Sequence, residues 1–486
     1  MDKATRSFLA SALVLALLMA GAGVLVRALP AGSYQRMELA DGSSAIVPAS
    51  YAAISRPEYP AWRVLSAPLE VLGSEDGALA AVIIGFIVIV GGAFSTLRQA
   101  GVLEESVRSL ARRFGARRRL FLAAVCLFFM LIGSFMGIFE EVVPLVPLAV
   151  SLSLSLGWDV FTGLGMSILA VGFGFSAAIA NPFSVGTAQR LAGVPVMSGF
   201  GFRLFAFALV YALYLSFMLA HVRRLERGGG GTRPLSAAKG QGSGTLADGS
   251  HEAAKGQDSS KPVPGSAPRP DRGAVFFAWG GALLAFAVVL LAALRLASDY
   301  MLPLIALGFL AIGCGAGLVS GMKPASIARS FLAGALGVLP AGLLILMALS
   351  VKRIIVAGGV MDTILYGASK LLGEASGYGA AAIMYAVTLG MNFFIGSASA
   401  KAFLLMPVLA PLADLAGLSR QIAVQAFAFG DGFSNMLYPT NAVLLISLGL
   451  AGMSWGSWLK KTWLLQFMAL FLTAALLMLA VAIGYA

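Results

Sequence analysis

Apolar runs of about 20 residues recur along this chain, separated by short polar or basic stretches, and each is long enough as an α-helix to cross a hydrocarbon core of about 30 Å. No water reaches backbone N–H and C=O groups inside lipid, so these runs must be helices. Any unwound backbone at that depth must be enclosed by protein or line a water-filled cavity. With 59% hydrophobic and 12% charged residues and a mean hydropathy of +0.89, the chain reads as an all-α polytopic membrane protein.

The formal net charge of +12 does not point to nucleic acid, because the arginines gather at helix ends. Seven of them lie between Arg98 and Arg119, in an amphipathic segment that marks a cytoplasmic face under the positive-inside rule. Lys3 and Arg6 place the N-terminus on the same side. The apolar core of Met1 to Arg27 is long, and Val26-Arg27-Ala28-Leu29-Pro30 makes a poor cleavage site, so this stretch reads as a retained first helix. The expected location is the bacterial inner membrane. Cys126 and Cys314 lie in apolar runs and form no disulfide framework. His221 and His251 fall at a helix end and in a linker, so no histidine reaches the core, and an enzyme is not expected.

Taken in order, spans are expected at 8–29 and 78–97, with a polar outside loop at about 30–66 between them. Two apolar arms at 120–156 meet at Gly133-Ser134-Phe135-Met136-Gly137. Arms of about 14–18 residues reach roughly 21–27 Å, short of the bilayer, so a re-entrant hairpin is expected. A helix at 160–189 is broken at Asn181-Pro182, where proline removes a donor and restricts the residue before it. A span at 202–221 follows, and residues 222–272 form a Gly/Ser/Pro-rich cytoplasmic linker. Spans at 274–296, 302–322 and 331–351 come next. A second hairpin at 378–415, a second broken helix at 420–448 and a last span at 458–485 complete the chain.

The halves 1–221 and 273–486 repeat this order of parts, and GGVMDTILYGASKLLGE (358–374) resembles AGVLEESVRSLARRFGA (100–116). Counting crossings makes the second hairpin open from the side opposite to the first. The expected fold is therefore a pair of inverted repeats, about nine transmembrane helices plus two opposed re-entrant hairpins. Such repeats place one site near the midplane, where half-helix N-termini attract anions and unwound carbonyls hold small cations.

Charge and small polar residues at the breaks nominate that site, because a charge at the bilayer centre costs roughly 2.5–3.5 kcal/mol on insertion scales and needs a reason to be there. In the first hairpin these are Gly133, Ser134, Gly137, Glu140 and Glu141; the glutamates can hold a substrate ammonium, Na⁺ or a shared proton, or cap the second arm. After the first break come Asn181, Ser184, Gly186 and Thr187. In the second hairpin Ser397, Ser399 and Lys401 can receive a carboxylate, or Lys401 can neutralise Asp431 or a first-hairpin glutamate. Around Pro439 lie Asp431, Ser434, Asn435, Thr440 and Asn441. Asn181, Asp431, Ser434 and Asn435 are assigned to the coupling ion, Na⁺ or H⁺, with Na⁺ held at the broken-helix loops and no cofactor beyond it.

Five motifs carry a family resemblance: GGAFSTLRQAGVLE (91–104), GIFEEVVPLVPLAVSLSLSLGWD (137–159), ANPFSVGTAQRLAG (180–193), LMPVLAPLADLAGLSRQ (405–421) and FGDGFSNMLYPTN (429–441). Together they resemble the YfcC-like branch of the C4-dicarboxylate anaerobic carrier (DcuC-type) family, within the ion transporter superfamily. The resemblance implies a scaffold domain, a moving transport domain, an elevator mechanism and a homodimer. It also implies substrate binding at the hairpin tips and broken helices. Family members differ in substrate, and Lys401 stands where a neutral polar residue is expected. The expected function is ion-coupled secondary transport of a small carboxylate-bearing solute, a C4-dicarboxylate or an amino acid. The alternatives are a basic amino acid exchanger and a channel.

Overall fold

A computed structural model describes residues 3–38, 44–47, 50–103, 105, 117–137, 139–227, 272–293, 301–373, 375 and 377–486. Most of the expected linker, most of the arginine-rich segment and the side chain of Glu141 lie outside the described residues.

The described chain is built almost wholly of helices. Seven are long and apolar enough to cross a membrane: Ser11–Ala28, Ala80–Gln99, Arg118–Met136, Phe200–Arg227, Pro324–Ala357, Ala398–Leu415 and Trp455–Ala482. Two of these were expected to be arms of hairpins. The first arm is longer than its sequence suggested, because Gly133 and Ser134 do not end it. Both are helical and buried, and a Cβ at Gly133 would lie 2.3 Å from the carbonyl oxygen of Val171. The glycine is there for close packing, and the helix instead stops at Gly137, whose φ of +70° supplies a left-handed cap.

Both broken helices are observed. The first runs as Val160–Leu164, a wide turn at Gly165–Leu169, and Ala170–Ser176; after five non-helical residues, 177–181, it resumes at Pro182–Gly186 and Thr187–Ala192. The second runs as Arg420–Gly432 and a tight turn at Phe433–Met436, then resumes at Ala442–Leu450. Every residue from Gln421 to Gly432 is buried, so this helix is enclosed by protein on all sides. The two meet where Gly432 faces Ser176, with a Cβ at Gly432 only 2.2 Å from Cα of Ser176.

Pro324–Ala357 is the longest helix, 34 residues or roughly 51 Å, and runs well past the expected span of 331–351. It packs on Gly77–Gln99 through facing glycines: a Cβ at Gly334 would sit 2.4 Å from the carbonyl oxygen of Gly91.

The polar loop after the first span is more ordered than a loop. It forms two short antiparallel ladders, Gly32–Ser33 with Ala52–Ala53 and Arg36–Glu38 with Ser44–Ile46, and then the helix Arg63–Leu72. The ladders are fastened to helix Met361–Gly373. Tyr34 N and Arg36 Nη2 donate to the two carboxylate oxygens of Asp362 at 2.9 and 3.0 Å, and Tyr51 stacks on Tyr366 with centroids 4.1 Å apart. Polar spacing alone carries no signal for such tertiary fastening.

At the opposite end of the first broken helix Asp159 caps the segment, accepting from Thr162 N at 2.8 Å. His221 lies 3.2 Å from Asp159 Oδ1, and Lys461 Nζ donates to Oδ2 at 3.0 Å. Burial alone would push the Asp159 carboxyl up, but hydrogen bonds from His221 and Thr162 outweigh it and hold the group well below the usual carboxylate range. A depressed folded-state pKa adds stability that is fully present above the unfolded value of about 3.9 and is lost as the pH falls below it. Thermal melts in detergent from neutral pH downwards are expected to show a steeper acid loss for the native chain than for Asp159→Asn. Equal slopes would remove this cap from the account.

Candidate functional site

The charged centre lies between the second hairpin and the second broken helix. Ser397 caps Ala398–Leu415, accepting from Ala400 N at 3.4 Å, and Lys401 follows one turn later on the inward face. The side chains of Lys401 and Asp431 are both 0% exposed. Lys401 Nζ donates to Asp431 Oδ1 and to Asn392 Oδ1. Asn392 sits at the hairpin apex, and its Nδ2 donates to Ser434 Oγ at 2.7 Å and to Asn435 Oδ1 at 2.9 Å. Asn441 Nδ2 donates to the same Asn435 oxygen at 3.0 Å, while its Oδ1 accepts from Leu444 N and caps the resumed helix. Asp431 Oδ2 is buried with no hydrogen-bond partner among the described residues.

Lys401 was expected either to receive a carboxylate or to neutralise an acidic residue. Here it pairs with Asp431, so its ammonium is already occupied. Asn392 was not among the expected site residues, although it lies nine positions before the lysine at the turn of the same hairpin. A polar residue closing an apolar arm was the available signal.

Neutral polar groups line the first break. Ser134 Oγ donates to Ala177 O at 2.9 Å and accepts from Ile179 N at 2.9 Å, so it ties the first hairpin arm into the unwound stretch. Asn181 Oδ1 accepts from Phe183 N at 2.9 Å and Ser184 N at 3.3 Å, capping the resumed helix. Asn181 Nδ2 and Ser184 Oγ are buried without a partner among the described residues. Gly137 lies against Asn181, since a Cβ there would fall 2.3 Å from Asn181 Oδ1. Thr187 Oγ1 donates to Pro182 O at 3.0 Å, a contact internal to its own turn. Ser399 Oγ donates to Phe183 O at 3.0 Å and joins the second hairpin to the first broken helix. Glu140 is exposed and makes no ion pair among the described residues; Thr440 is half-buried.

A further set of polar residues was not foreseen. Arg203 is 2% exposed, and its Nε donates to Ile179 O at 2.7 Å, inside the first break. Gln421 Nε2 donates to Ser198 O at 2.6 Å, and Tyr485 joins Gln421, Arg203 and Gly199 around its hydroxyl. Arg203 opens a span, where an arginine ordinarily reads as an interface anchor; only packing turns it inward. A cavity of about 100 Å³ adjoins this region, lined by Ala180, Pro182, Val185, Gly186, Gln189 and Arg190 among others.

Seven described helices long and apolar enough to cross a membrane, packed with two further helices interrupted at buried polar breaks, fit the architecture of a multi-pass membrane transporter. The chain belongs to the C4-dicarboxylate anaerobic carrier family, whose model matches residues 9–482. It is 30% identical over 400 residues to the Escherichia coli (strain K12) protein named "Putative basic amino acid antiporter YfcC", covering 80% of this chain and 75% of that protein. It is 25% identical over 386 residues to an uncharacterized Haemophilus influenzae protein, covering 79% of this chain and 72% of that one. Among solved structures, the Alcanivorax borkumensis YdaH transporter aligns over 100% of this chain and 99% of its own, at 19% identity and a TM-score of 0.40. Neisseria gonorrhoeae MtrF, whose structure is described as illuminating a class of antimetabolite efflux pumps, aligns over 99% and 95% at 15% identity and a TM-score of 0.37.

Proposed function

We propose that this transporter is an ion-coupled secondary carrier of a small carboxylate-bearing solute, a C4-dicarboxylate or an amino acid, in the bacterial inner membrane. The observation that carries the reading is the pair of buried donors Asn181 Nδ2 and Ser184 Oγ, without a partner among the described residues, at the start of the resumed first helix. That helix start packs directly on the two helices that hold Lys401 and Asp431. A buried polar atom without a partner is costly, and a carboxylate placed at a helix N-terminus would satisfy both donors and the local dipole. With Lys401 engaged by Asp431 and Asn392, recognition of the anion falls to these neutral donors. Backbone unwound at two places inside the bundle suits a site released alternately to each side.

The second reading is exchange of basic amino acids, and Glu140 favours it: an exposed carboxylate at the first hairpin tip, without an ion-pair partner among the described residues, suits a cationic side chain. The two readings separate in reconstituted liposomes given dicarboxylates, short-chain acids, and neutral and basic amino acids. On the first, one carboxylate shows saturable uptake, and Ser184→Ala weakens its apparent affinity by about tenfold, the worth of a hydrogen bond to a charged group. Uptake of lysine or arginine that survives Ser184→Ala and is lost in Glu140→Gln would install the second reading. Uptake of neither class would end both.

A further inference from the structure

The oxygens around Lys401 form the kind of site that holds a small monovalent cation. Asp431 supplies a carboxylate oxygen and Asn392 an amide oxygen to the ammonium, while Ser434 Oγ and Asn435 Oδ1 accept from Asn392 Nδ2 and so hold that amide with its oxygen toward the charge. All four residues are at least 96% buried, and Asp431 still has one oxygen, Oδ2, without a partner among the described residues. The position is filled by a side chain. A lysine ammonium is a compact point charge with three donors and no acceptor, so it satisfies oxygens much as a small dehydrated cation does. One carboxylate and one ammonium already balance here, and a second buried cation would face an uncompensated charge. The ammonium and a free monovalent cation therefore exclude one another.

The two charges also come from different elements. Lys401 rides on the second hairpin, whereas Asp431, Ser434 and Asn435 belong to the second broken helix. A shift of the hairpin against the broken helix would carry the cation with it.

We propose that Lys401 is a tethered cation: its ammonium takes the seat that a coupling Na⁺ would hold at Asp431 and Asn392. Transport by this chain is consequently independent of Na⁺ at that seat. Removing the ammonium while keeping Asp431 opens a Na⁺ site. The inference rests on the transporter reading above and removes Asp431 from the residues available to a coupling Na⁺.

The experiment uses the purified full-length protein in detergent, titrated with NaCl against choline chloride at equal ionic strength, with melting temperature as the readout. A ligand that binds only the folded state raises that temperature by mass action. The native chain is expected to show no Na⁺-specific shift. Lys401→Met is expected to gain one of about 2 °C or more as Na⁺ rises. Lys401→Met/Asp431→Asn, which carries neither charge, is expected to lose it again. A Na⁺-specific shift in the native chain that Asp431→Asn abolishes would overturn the proposal, and this arm needs no lysine variant to fold. So would a folded Lys401→Met that ignores Na⁺. Failure of every carboxylate in the liposome assay would sink the substrate reading and leave the cation result standing.

Discussion

Replacing Lys401 with methionine in Na⁺-free buffer is expected to cost about 3–5 kcal/mol of stability, the usual penalty for removing one partner of a buried ion pair. Neither side chain of the pair is exposed, and Asp431 Oδ2 already lacks a partner among the described residues. Losing the ammonium leaves Asp431 Oδ1 unpaired as well, and Asn392 Oδ1 loses its donor. Asp431→Asn is expected to be similarly harmful, since it strands the ammonium. The double variant Lys401→Met/Asp431→Asn should recover most of the loss, because it removes both charges and keeps the volume. Thermal melts of the four proteins form a double-mutant cycle. If the two single costs simply add, the pair is not coupled and the ion-pair account fails.

Gly432→Ala is expected to destabilise the chain by about 1–3 kcal/mol and to abolish transport. The added carbon would meet Cα, Oγ and Cβ of Ser176 at 2.2, 2.3 and 2.5 Å. Part of that contact is backbone, so a rotamer change cannot relieve it, and the two broken helices would have to move apart at their crossing. Gly390→Ala is the matched control, for a Cβ there has nothing within 4 Å. A Gly432→Ala protein that melts and transports like the control would show that the crossing has room for a methyl group.

Much of the architecture is legible in the amino-acid order because the bilayer leaves few choices. Apolar length marks the spans, Asn181-Pro182 and Pro439 mark the two breaks, and Lys401 and Asp431 stand out as charges with no place in lipid. Three features resisted this reading. Gly133 looked like a hairpin tip and is a packing contact inside a continuous helix. The stretch after the first span looked like a loop and is clamped through Asp362. Arg203 looked like an anchor and reaches into the first break. In each case the residue type permits both roles, and the choice depends on which backbone lies opposite.

Composition, apolar spacing and the placement of proline and charge are local properties, and they determined that this chain crosses a membrane, breaks two of its helices and carries charges toward the interior. Which atoms those charges face is a long-range property. Lys401 meets Asn392 across nine residues and Asp431 across thirty, and Ser399 meets Phe183 across more than two hundred. Hydrogen bonds act over about 3 Å while sequence separation does not limit them. Only the packed bundle could decide that the lysine serves the aspartate and that Asn181 Nδ2 and Ser184 Oγ are left without a partner among the described residues.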